Sequence, residues 1–286
     1  MNVNAKPHFT WILIVFAFLI GNISCKSSGK KYPDSSMYAF SSPAVIDLPA
    51  ALNEISGLAY YAKDTSVFAV IDEDGLLFKI SLNNPKNIQE WKFDKKRDYE
   101  DLVLIDSTFY ILVSDGDIVT VKFDEEKKFL PEKESFKLLE SGKEFEILFK
   151  SADSGFLSIL CKECEVDSKN TLSSFHYSYV DSTGFEKSKV YDLSPWNQKE
   201  GQEKNLKPSA AAINPITKEL YIISAIQTVI IIMDAKGNFK EYFRLNPKFF
   251  KQPEGITFTP DGDLIIANEF AEEGSANLLL MKNKLK

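Results

Sequence analysis

The chain has 286 residues and a formal net charge of −7, and its arginines are only Arg97 and Arg244. An acidic chain without a basic cluster disfavours nucleic acid as a partner, because binding it requires basic side chains that replace phosphate counterions. With the two histidines His8 and His176, a serine, histidine and aspartate triad or a histidine-rich metal site is also disfavoured.

The first 24 residues have the layout of a secretory signal: a weakly basic start, an apolar stretch from Trp11 to Ile20, and small residues before Cys25. The apolar stretch is too short to span a bilayer. The segment resembles a bacterial lipoprotein signal, although Asn22 stands where an apolar residue is usual. We predict a signal peptide over 1–24, a lipid on Cys25 and a flexible tether over 25–40, with a plain cleaved signal as the alternative. The chain would then be held to a membrane of the bacterial cell envelope, facing the periplasm or the cell surface.

One short phrase recurs along the remaining chain with small changes. Its copies are Glu54-Ile-Ser-Gly-Leu-Ala-Tyr60, Asp98-Tyr-Glu-Asp-Leu-Val-Leu104, Glu144-Phe-Glu-Ile-Leu-Phe149, Lys207-Pro-Ser-Ala-Ala-Ala-Ile213 and Gln252-Pro-Glu-Gly-Ile-Thr-Phe258. A second apolar run follows each copy, and the resulting period of about 45 residues is typical of β-propeller blades. The sequence therefore predicts an all-β propeller in one domain, over 41–286, and we expect it to be a monomer.

Each repeat offers short runs rich in β-branched and aromatic residues, separated by turn dipeptides such as Asp74-Gly75 and Asp115-Gly116. In chain order, strands are predicted at 57–60, 67–71, 76–81 and 89–93; at 102–105, 109–113, 118–123 and 135–139; at 147–150, 156–160, 175–180 and 189–193; at 210–213, 220–223, 229–233 and 242–245; and at 255–258, 264–267 and 278–281.

The last repeat lacks a fourth strand, and residues 45–48 ahead of the first repeat are suited to supply it. Such an N-terminal strand would close the ring and remove its open edges. This count gives five four-stranded blades. The long gap from Asp192 to Lys207 leaves six blades as the alternative.

Cys161 and Cys164 are separated by two residues at the end of a predicted strand. A local disulfide is the first expectation in an oxidising compartment. A reactive redox pair, or two free or metal-touching thiols, are the alternatives. Two cysteines alone cannot complete a structural zinc site, which normally has four ligands.

The recurring phrases together resemble the SdiA-regulated family of bacterial envelope β-propellers over essentially everything from Val45 to the end. The match includes Phe68-Ala-Val-Ile-Asp-Glu-Asp-Gly75, Glu219-Leu-Tyr-Ile-Ile-Ser224 and Asn268-Glu269. Where many relatives have Asp-Tyr-Glu-Gly, this chain has Asp101 in place of the glycine, which would add a carboxylate at a blade entrance. The resemblance implies a propeller tethered in the cell envelope, and it carries over no catalytic residue.

In a propeller the innermost strands line a central channel, and their starts share one face with the ends of the second strands. Several polar residues of this chain occupy these two positions and are expected to ring one mouth of the channel. At the mouth we predict a calcium site formed by Asp72, Glu100, Glu146, Glu254 and Glu269, with Ser56, Asp115, Ser209 and Asn268 as further polar groups. Carboxylate and amide oxygens are the ligands that Ca²⁺ prefers. The alternative is structural, with the glutamates accepting backbone N–H groups of the neighbouring blade.

Three functions stay open at this point. A binding module would hold a small ligand or an envelope protein at the mouth, with or without calcium. A calcium-dependent phosphoesterase or lactonase would use the same carboxylates to hold metal, with Arg97, Lys143 or Lys207 as basic groups. A non-catalytic scaffold would use none of them. Trp196, which follows Pro195 in a predicted loop, is a further candidate for an exposed ligand-binding ring.

Overall fold

In the part of the chain that the structure describes, twenty strands form five antiparallel sheets of four strands each, which confirms the predicted five-bladed propeller. The computed structural model describes residues 1, 31–124, 126, 130–133, 144–152, 155–181, 186–200, 205–271 and 274–286. The predicted signal peptide, Cys25, Lys143 and the strand predicted at 135–139 lie outside these residues. In the described part of the chain, no helix is both long and apolar enough to cross a membrane.

The strands follow the repeats in order. The first strand, β1 (Ala44–Asp47), precedes a short 3-10 helix (Ala50–Leu52). Blade 1 contains β2 (Ile55–Tyr61), β3 (Ser66–Ile71), β4 (Leu76–Ser81) and β5 (Ile88–Lys92). Blade 2 contains β6 (Tyr99–Ile105), β7 (Thr108–Val113), β8 (Ile118–Lys122) and β9 (Leu130–Lys133). Blade 3 contains β10 (Glu144–Lys150), β11 (Phe156–Glu163), β12 (Thr171–Ser178) and β13 (Glu186–Asp192).

A helix, α1 (Ser194–Glu200), follows blade 3. Blade 4 contains β14 (Ala210–Ile213), β15 (Leu220–Ser224), β16 (Val229–Met233) and β17 (Phe239–Arg244). Blade 5 contains β18 (Pro253–Phe258), β19 (Leu264–Asn268) and β20 (Asn277–Met281). The long gap before blade 4 thus contains α1 rather than a sixth strand pair within the residues described.

The ring is closed by the N-terminal strand, as predicted. β1 pairs antiparallel with β20, and the register places Ala44 opposite Leu280 and Asp47 opposite Asn277. Blade 5 therefore combines the two ends of the domain in one sheet. This arrangement leaves each blade flanked by two others and removes the open edge that an unclosed ring would have.

The hydrophobic core is divided into five clusters, each lying between two neighbouring blades. Between blades 1 and 2, for example, the ring of Phe68 lies 4.8 Å from those of Phe109 and Phe123. Strands such as β16 are buried along their whole length, because successive side chains point in turn to the cluster on one side of the blade and to the cluster on the other. Aromatic residues thus pack between blades 1 and 2.

The segment 35–40 corrects the expected domain boundary, because it packs on the propeller instead of belonging to a flexible tether. Tyr38 and Phe40 are buried in the cluster between blades 4 and 5. The Tyr38 hydroxyl donates to the carbonyl of Gly262 at 2.6 Å and accepts from Asn214 Nδ2 at 2.8 Å. The free energy gained by burying two aromatic side chains exceeds the conformational entropy that the segment loses when it becomes ordered.

Replacing Tyr38 by phenylalanine is expected to reduce the free energy of unfolding by about 2 kcal/mol, because a buried acceptor and a buried donor lose their partner together. Urea unfolding measures this change. Tyr60→Phe, at a half-buried position, is the matched control and is expected to stay within about 0.5 kcal/mol of the wild type. Equal stability of the two variants would contradict the role of the Tyr38 hydroxyl.

Two further expectations are settled by burial and bonding. Trp196 lies on α1 with 1% of its surface exposed, so the exposed ligand-binding ring predicted there is wrong. Its indole packs in the cluster between blades 3 and 4. Cys161 and Cys164 form a disulfide, and both cysteines are buried in the cluster between blades 2 and 3.

Candidate ligand site at the channel mouth

One end of the central channel opens into a cavity of about 530 Å³ that is strongly acidic. We call this cavity the acidic mouth; the described residues that line it are Ser56, Asp72, Asp98, Glu100, Ser114, Asp115, Glu144, Glu146, Lys162, Ser209, Gln252, Glu254 and Glu269. The structure therefore brings together the five predicted calcium ligands and three of the four further polar residues.

A β-bulge explains why the same slot of four different blades faces the mouth. The pairing of the innermost strand with its neighbour shifts register around Ser56 in β2, Glu100 in β6, Glu146 in β10 and Glu254 in β18. A bulge leaves one residue unpaired and changes the direction of its side chain, which is why bulges are frequent beside functional sites. Ser209 occupies the equivalent slot just before β14.

The ends of the second strands supply the other half of the lining, and backbone hydrogen bonds hold them against the next blade. The N–H of Tyr99 donates to the carbonyl of Asp72 at 2.9 Å, and that of Phe145 donates to the carbonyl of Ser114 at 3.1 Å. Between blades 5 and 1, the N–H of Phe270 donates to the carbonyl of Asn53 at 2.7 Å. The positions of the mouth residues are thus fixed by the junctions between blades.

Lys162 is the one basic residue among the described residues that line the acidic mouth, and sequence reasoning missed it. Its ammonium group is bonded to Glu146 Oε1. Burial lowers the pKa of Lys162, whereas the hydrogen bond to Glu146 and the charges of Glu146, Glu254 and Glu100 raise it, and the net shift is upward. A charged ammonium group therefore stands among the carboxyl groups.

Burial and mutual repulsion keep protons on several of these carboxyl groups. Burial, followed by the charge of Glu146, raises the pKa of Glu100 to about 9 and that of Glu254 to about 8. Burial also raises the pKa of Glu146 despite the contact with Lys162, and it raises that of Glu269. The lysine thus neutralises only part of the negative charge that the mouth can develop.

Asp72 and Asp98 form a carboxyl pair at the junction of blades 1 and 2. The hydrogen bond between the two side chains, together with burial, raises the pKa of Asp72 to about 7, and the same bond lowers the pKa of Asp98. Two close carboxyl groups share one proton because both cannot ionise at little cost. At pH values below about 7 the pair therefore contains a neutral Asp72 and an ionised Asp98, and Asp72 loses its proton as the pH rises through about 7.

Asn268 does not belong to the mouth, which corrects its predicted role. The side chain is fully buried, and its Nδ2 donates to the carbonyl of Phe249 at 2.8 Å and to Asn277 Oδ1 at 2.9 Å. Asn268 is the last residue of β19, and the side chain of a strand residue points to the opposite face from that of the next residue. The mouth position is therefore taken by Glu269.

Asp101 is likewise not at a blade entrance, although the sequence suggested a carboxylate there. It is buried, and its Oδ1 and Oδ2 accept from the backbone N–H groups of Leu102 at 2.8 Å and Leu148 at 2.9 Å. The second bond joins blade 2 to blade 3. Asp101 thus accepts a backbone N–H of the neighbouring blade, which was the alternative role expected for the glutamates.

Ser209 also serves a junction: its hydroxyl donates to the carbonyl of Pro253 at 2.6 Å and accepts from the N–H of Ala225 at 3.2 Å. The basic groups expected for a phosphate pocket are occupied elsewhere. Arg97 pairs with Asp117 and Asp115, and Lys207 pairs with Glu163. Lys162 is therefore the basic group that an incoming ligand meets in the described mouth.

The carboxyl groups as they stand do not form a ready calcium site. Among the residues that the structure describes, no three or more histidine, cysteine, aspartate or glutamate side chains are arranged to hold a metal ion. The mouth is also much wider than a metal ion, and a lysine is bonded to one of the expected ligands. The arrangement suits a larger cation with hydrogen-bond donors.

A signal for Lys162 was present in the sequence. It is the next-to-last residue of the second strand of blade 3, and Asp72, Asp115 and Glu269 come just after the second strands of blades 1, 2 and 5. The flanking cysteines drew the interpretation to thiol chemistry instead. Asp98, Ser114, Glu144 and Gln252 are each one or two residues from a predicted mouth residue. The mouth is thus lined by short segments of the chain, not by one residue at the start or end of each strand.

Comparison with known proteins identifies the family. The sequence profile described as SdiA-regulated matches residues 37–271, and no curated protein matches significantly. Similar solved structures include glutaminyl cyclase of Myxococcus xanthus, with 14% identity, a TM-score of 0.54, and coverage of 84% of this chain and 94% of that one.

A glucose dehydrogenase has 11% identity, a TM-score of 0.52, and coverage of 83% of this chain and 99% of that one. Regucalcin of Agrobacterium tumefaciens, described as a calcium-binding protein, has 11% identity, a TM-score of 0.50, and coverage of 88% and 96%. At such identities these likenesses establish the propeller fold alone. The family profile, by contrast, covers most of the chain, with at least three strands of every blade and all the described residues of the acidic mouth, and the chain therefore belongs to the SdiA-regulated family.

Proposed function

We propose that this chain is a binding module of the bacterial cell envelope, tethered to a membrane through Cys25, whose acidic mouth binds an organic cation with one or more ammonium groups. The observation that carries the proposal is the position of Lys162. Its ammonium group, bonded to Glu146 and attracted by Glu100 and Glu254, shows how this mouth holds a primary amine. The ligand would be a small polyamine or a basic side chain of a protein partner.

The carboxyl groups around Lys162 supply the remaining affinity. Glu254 forms no hydrogen bond or ion pair with a described residue, and burial, followed by the charges of Glu146 and Glu269, raises its pKa. A cation that enters beside it would favour the ionised form and release a proton. Polar groups such as Ser56 and Gln252 are placed to accept further N–H groups of the ligand.

Calcium is the second ligand to test. The oxygen-rich lining favours it, and the similar regucalcin is described as a calcium-binding protein. The absence of a ready ligand set among the described residues ranks it behind an organic cation. A hydrolase is the alternative function, favoured by the Asp72 and Asp98 pair, in which one carboxyl could serve as acid and the other as base.

Calorimetric titration of the mature protein with spermidine, and separately with calcium chloride at equal ionic strength, tests the proposal. We expect spermidine to bind and Glu254→Gln to weaken its binding about 10-fold, since each charge-assisted hydrogen bond contributes roughly 1.5–3 kcal/mol. Lys162→Met is expected to strengthen binding by about 10-fold, because the competing ammonium group is removed. Glu73→Gln, an exposed acid that pairs with Lys96, is the control and should leave affinity unchanged.

Failure of spermidine to bind both the wild type and Lys162→Met would reject the cation site. Binding of calcium alone, lost in Glu254→Gln, would assign the mouth to the metal. Turnover of lactones or phosphate esters that disappears in Asp72→Asn would support the hydrolase. Lipid on Cys25 is tested separately, by fatty-acid incorporation into the wild type and not into Cys25→Ser.

A further inference from the structure

Beyond the acidic mouth, the innermost strands carry a layer of apolar side chains. In each blade the residue of this layer comes two positions after the mouth residue at the start of the innermost strand. The five residues are Leu58, Leu102, Leu148, Ala211 and Ile256. All of them are buried, and none is more than 5% exposed. The acidic mouth and the space beyond the layer share no lining residue. The molecule therefore has two separate axial cavities.

The second cavity differs from the first in its chemistry. It has a volume of about 500 Å³, and we call it the apolar cup. Its wall includes half-buried apolar residues from several blades, among them Tyr60, Leu104 and Ile213, and the small residues Ala62 and Ala212 also line it. Apolar side chains from successive blades that stay partly open to water around one cavity are typical of a binding surface.

Lys150 is the one charged side chain among the described residues that line the cup. It is exposed at the end of β10 and forms no ion pair with a described residue. The other lysines near this end have partners: Lys282 contacts Asp263, and Lys218 donates to the carbonyl of Pro215. An anion placed over the cup would thus meet an ammonium group whose charge is not already compensated.

We propose that the apolar cup binds a small amphiphilic anion, with its hydrocarbon body against the apolar wall and its carboxylate on the Lys150 ammonium group. The volume of the cup lies in the range of small-molecule pockets. Burial of the hydrocarbon supplies most of the affinity, at about 25 cal/mol for each Å² removed from water. The ion pair at the rim selects an anion over a neutral or cationic amphiphile of the same length. This site is independent of the cation proposed for the acidic mouth.

Calorimetric titration of the mature protein with octanoate and with 1-octanol tests the proposal. We expect octanoate to bind more tightly and Lys150→Met to weaken it about 5- to 10-fold, as for loss of one charge-assisted contact at a partly exposed rim. The same variant should leave 1-octanol within about twofold, because the apolar wall is unchanged. Ala212→Phe, which places a bulky ring in the wall of the cup, should abolish binding of both.

Two controls separate this site from other effects. Lys92→Met, on the exposed outer strand β5, removes a lysine remote from the cup and should not alter octanoate binding. Glu254→Gln, in the acidic mouth, should not alter it either. The proposal is overturned if octanoate does not bind, if Lys150→Met binds it as well as the wild type, or if 1-octanol binds equally tightly. Concentration-dependent dimers that Ala212→Phe disrupts, without octanoate binding, would assign the cup to a second copy of the chain.

Discussion

Replacing Gly57 by alanine is expected to lower the free energy of unfolding by about 3 kcal/mol, a large effect for one methyl group. A Cβ atom on Gly57 would lie 2.5 Å from the Cα of Asp101 and 2.7 Å from the backbone nitrogen of Leu102. Both atoms belong to the innermost strand of the next blade, so no side-chain rotation can relieve the contact. The two strands must separate, which weakens the hydrogen bonds that Asp101 makes across the blades.

Urea unfolding followed by circular dichroism measures the change. Ala212→Ser is the matched control, because it adds one heavy atom to the innermost strand of blade 4 at a half-buried position with free space. It should cost less than about 1 kcal/mol. A Gly57→Ala protein as stable as the wild type would show that the innermost strands can move apart freely, contrary to the close contact described here.

The stability of the wild type should fall as the pH rises from about 5 to about 9, because of Glu100 and Glu254. Their folded pKa values of about 9 and about 8 exceed the ordinary value of 4.5. Between these values the folded protein binds more protons than the unfolded chain, so raising the pH favours unfolding. The stability that the two neutral carboxyl groups contribute is fully present below the ordinary pKa of 4.5. It is lost as the pH rises through the pKa that each group has in the folded protein.

Glu100→Gln and Glu254→Gln should each stabilise the protein at pH 9, by about 1–3 kcal/mol once screening by water in the open mouth is allowed for. For a domain of this size, each kcal/mol corresponds to about 2–4 °C in Tm. Thermal melts at pH 5.5 and 9 measure the difference, with Glu90→Gln on exposed β5 as the control. If both mouth variants keep the wild-type pH profile, other groups are responsible for it.

The architecture could be predicted because the same local pattern occurs five times. A single phrase such as Gln252 to Phe258 is compatible with many folds, but its repetition at a constant spacing leaves few architectures, and the missing last strand led directly to β1. Prediction worked less well in blade 2. Its outer strand was expected at 135–139, and Leu130–Lys133 pairs with β8 instead.

The mouth was predictable in position and less so in chemistry. Slots in repeats locate residues such as Glu100 and Glu254, because strand topology fixes where each blade begins. Side-chain direction at a bulge is harder to predict, because the position of the unpaired residue determines which of two neighbouring side chains faces the channel. Glu100 and Asp101 are adjacent in the sequence, yet one lines the mouth and the other is buried between blades.

The packing of residues 35–40 could not be read from the sequence for another reason. Tyr38 and Phe40 lie outside any repeat, and their partners, such as Gly262 and Phe243, are more than 200 residues away. No local pattern reports such a distant contact. Composition alone, with several serines nearby, favoured a tether.

The closure of blade 5 by β1 has a mechanical consequence. With the proposed anchor at Cys25, any pull between the membrane and a bound partner reaches the propeller through the residues just before its closing strand. The buried Tyr38 and Phe40 lie between the anchor and the four-residue pairing of β1 with β20. A pulling force would therefore have to extract these two aromatic side chains before it could separate β1 from β20 and open the ring.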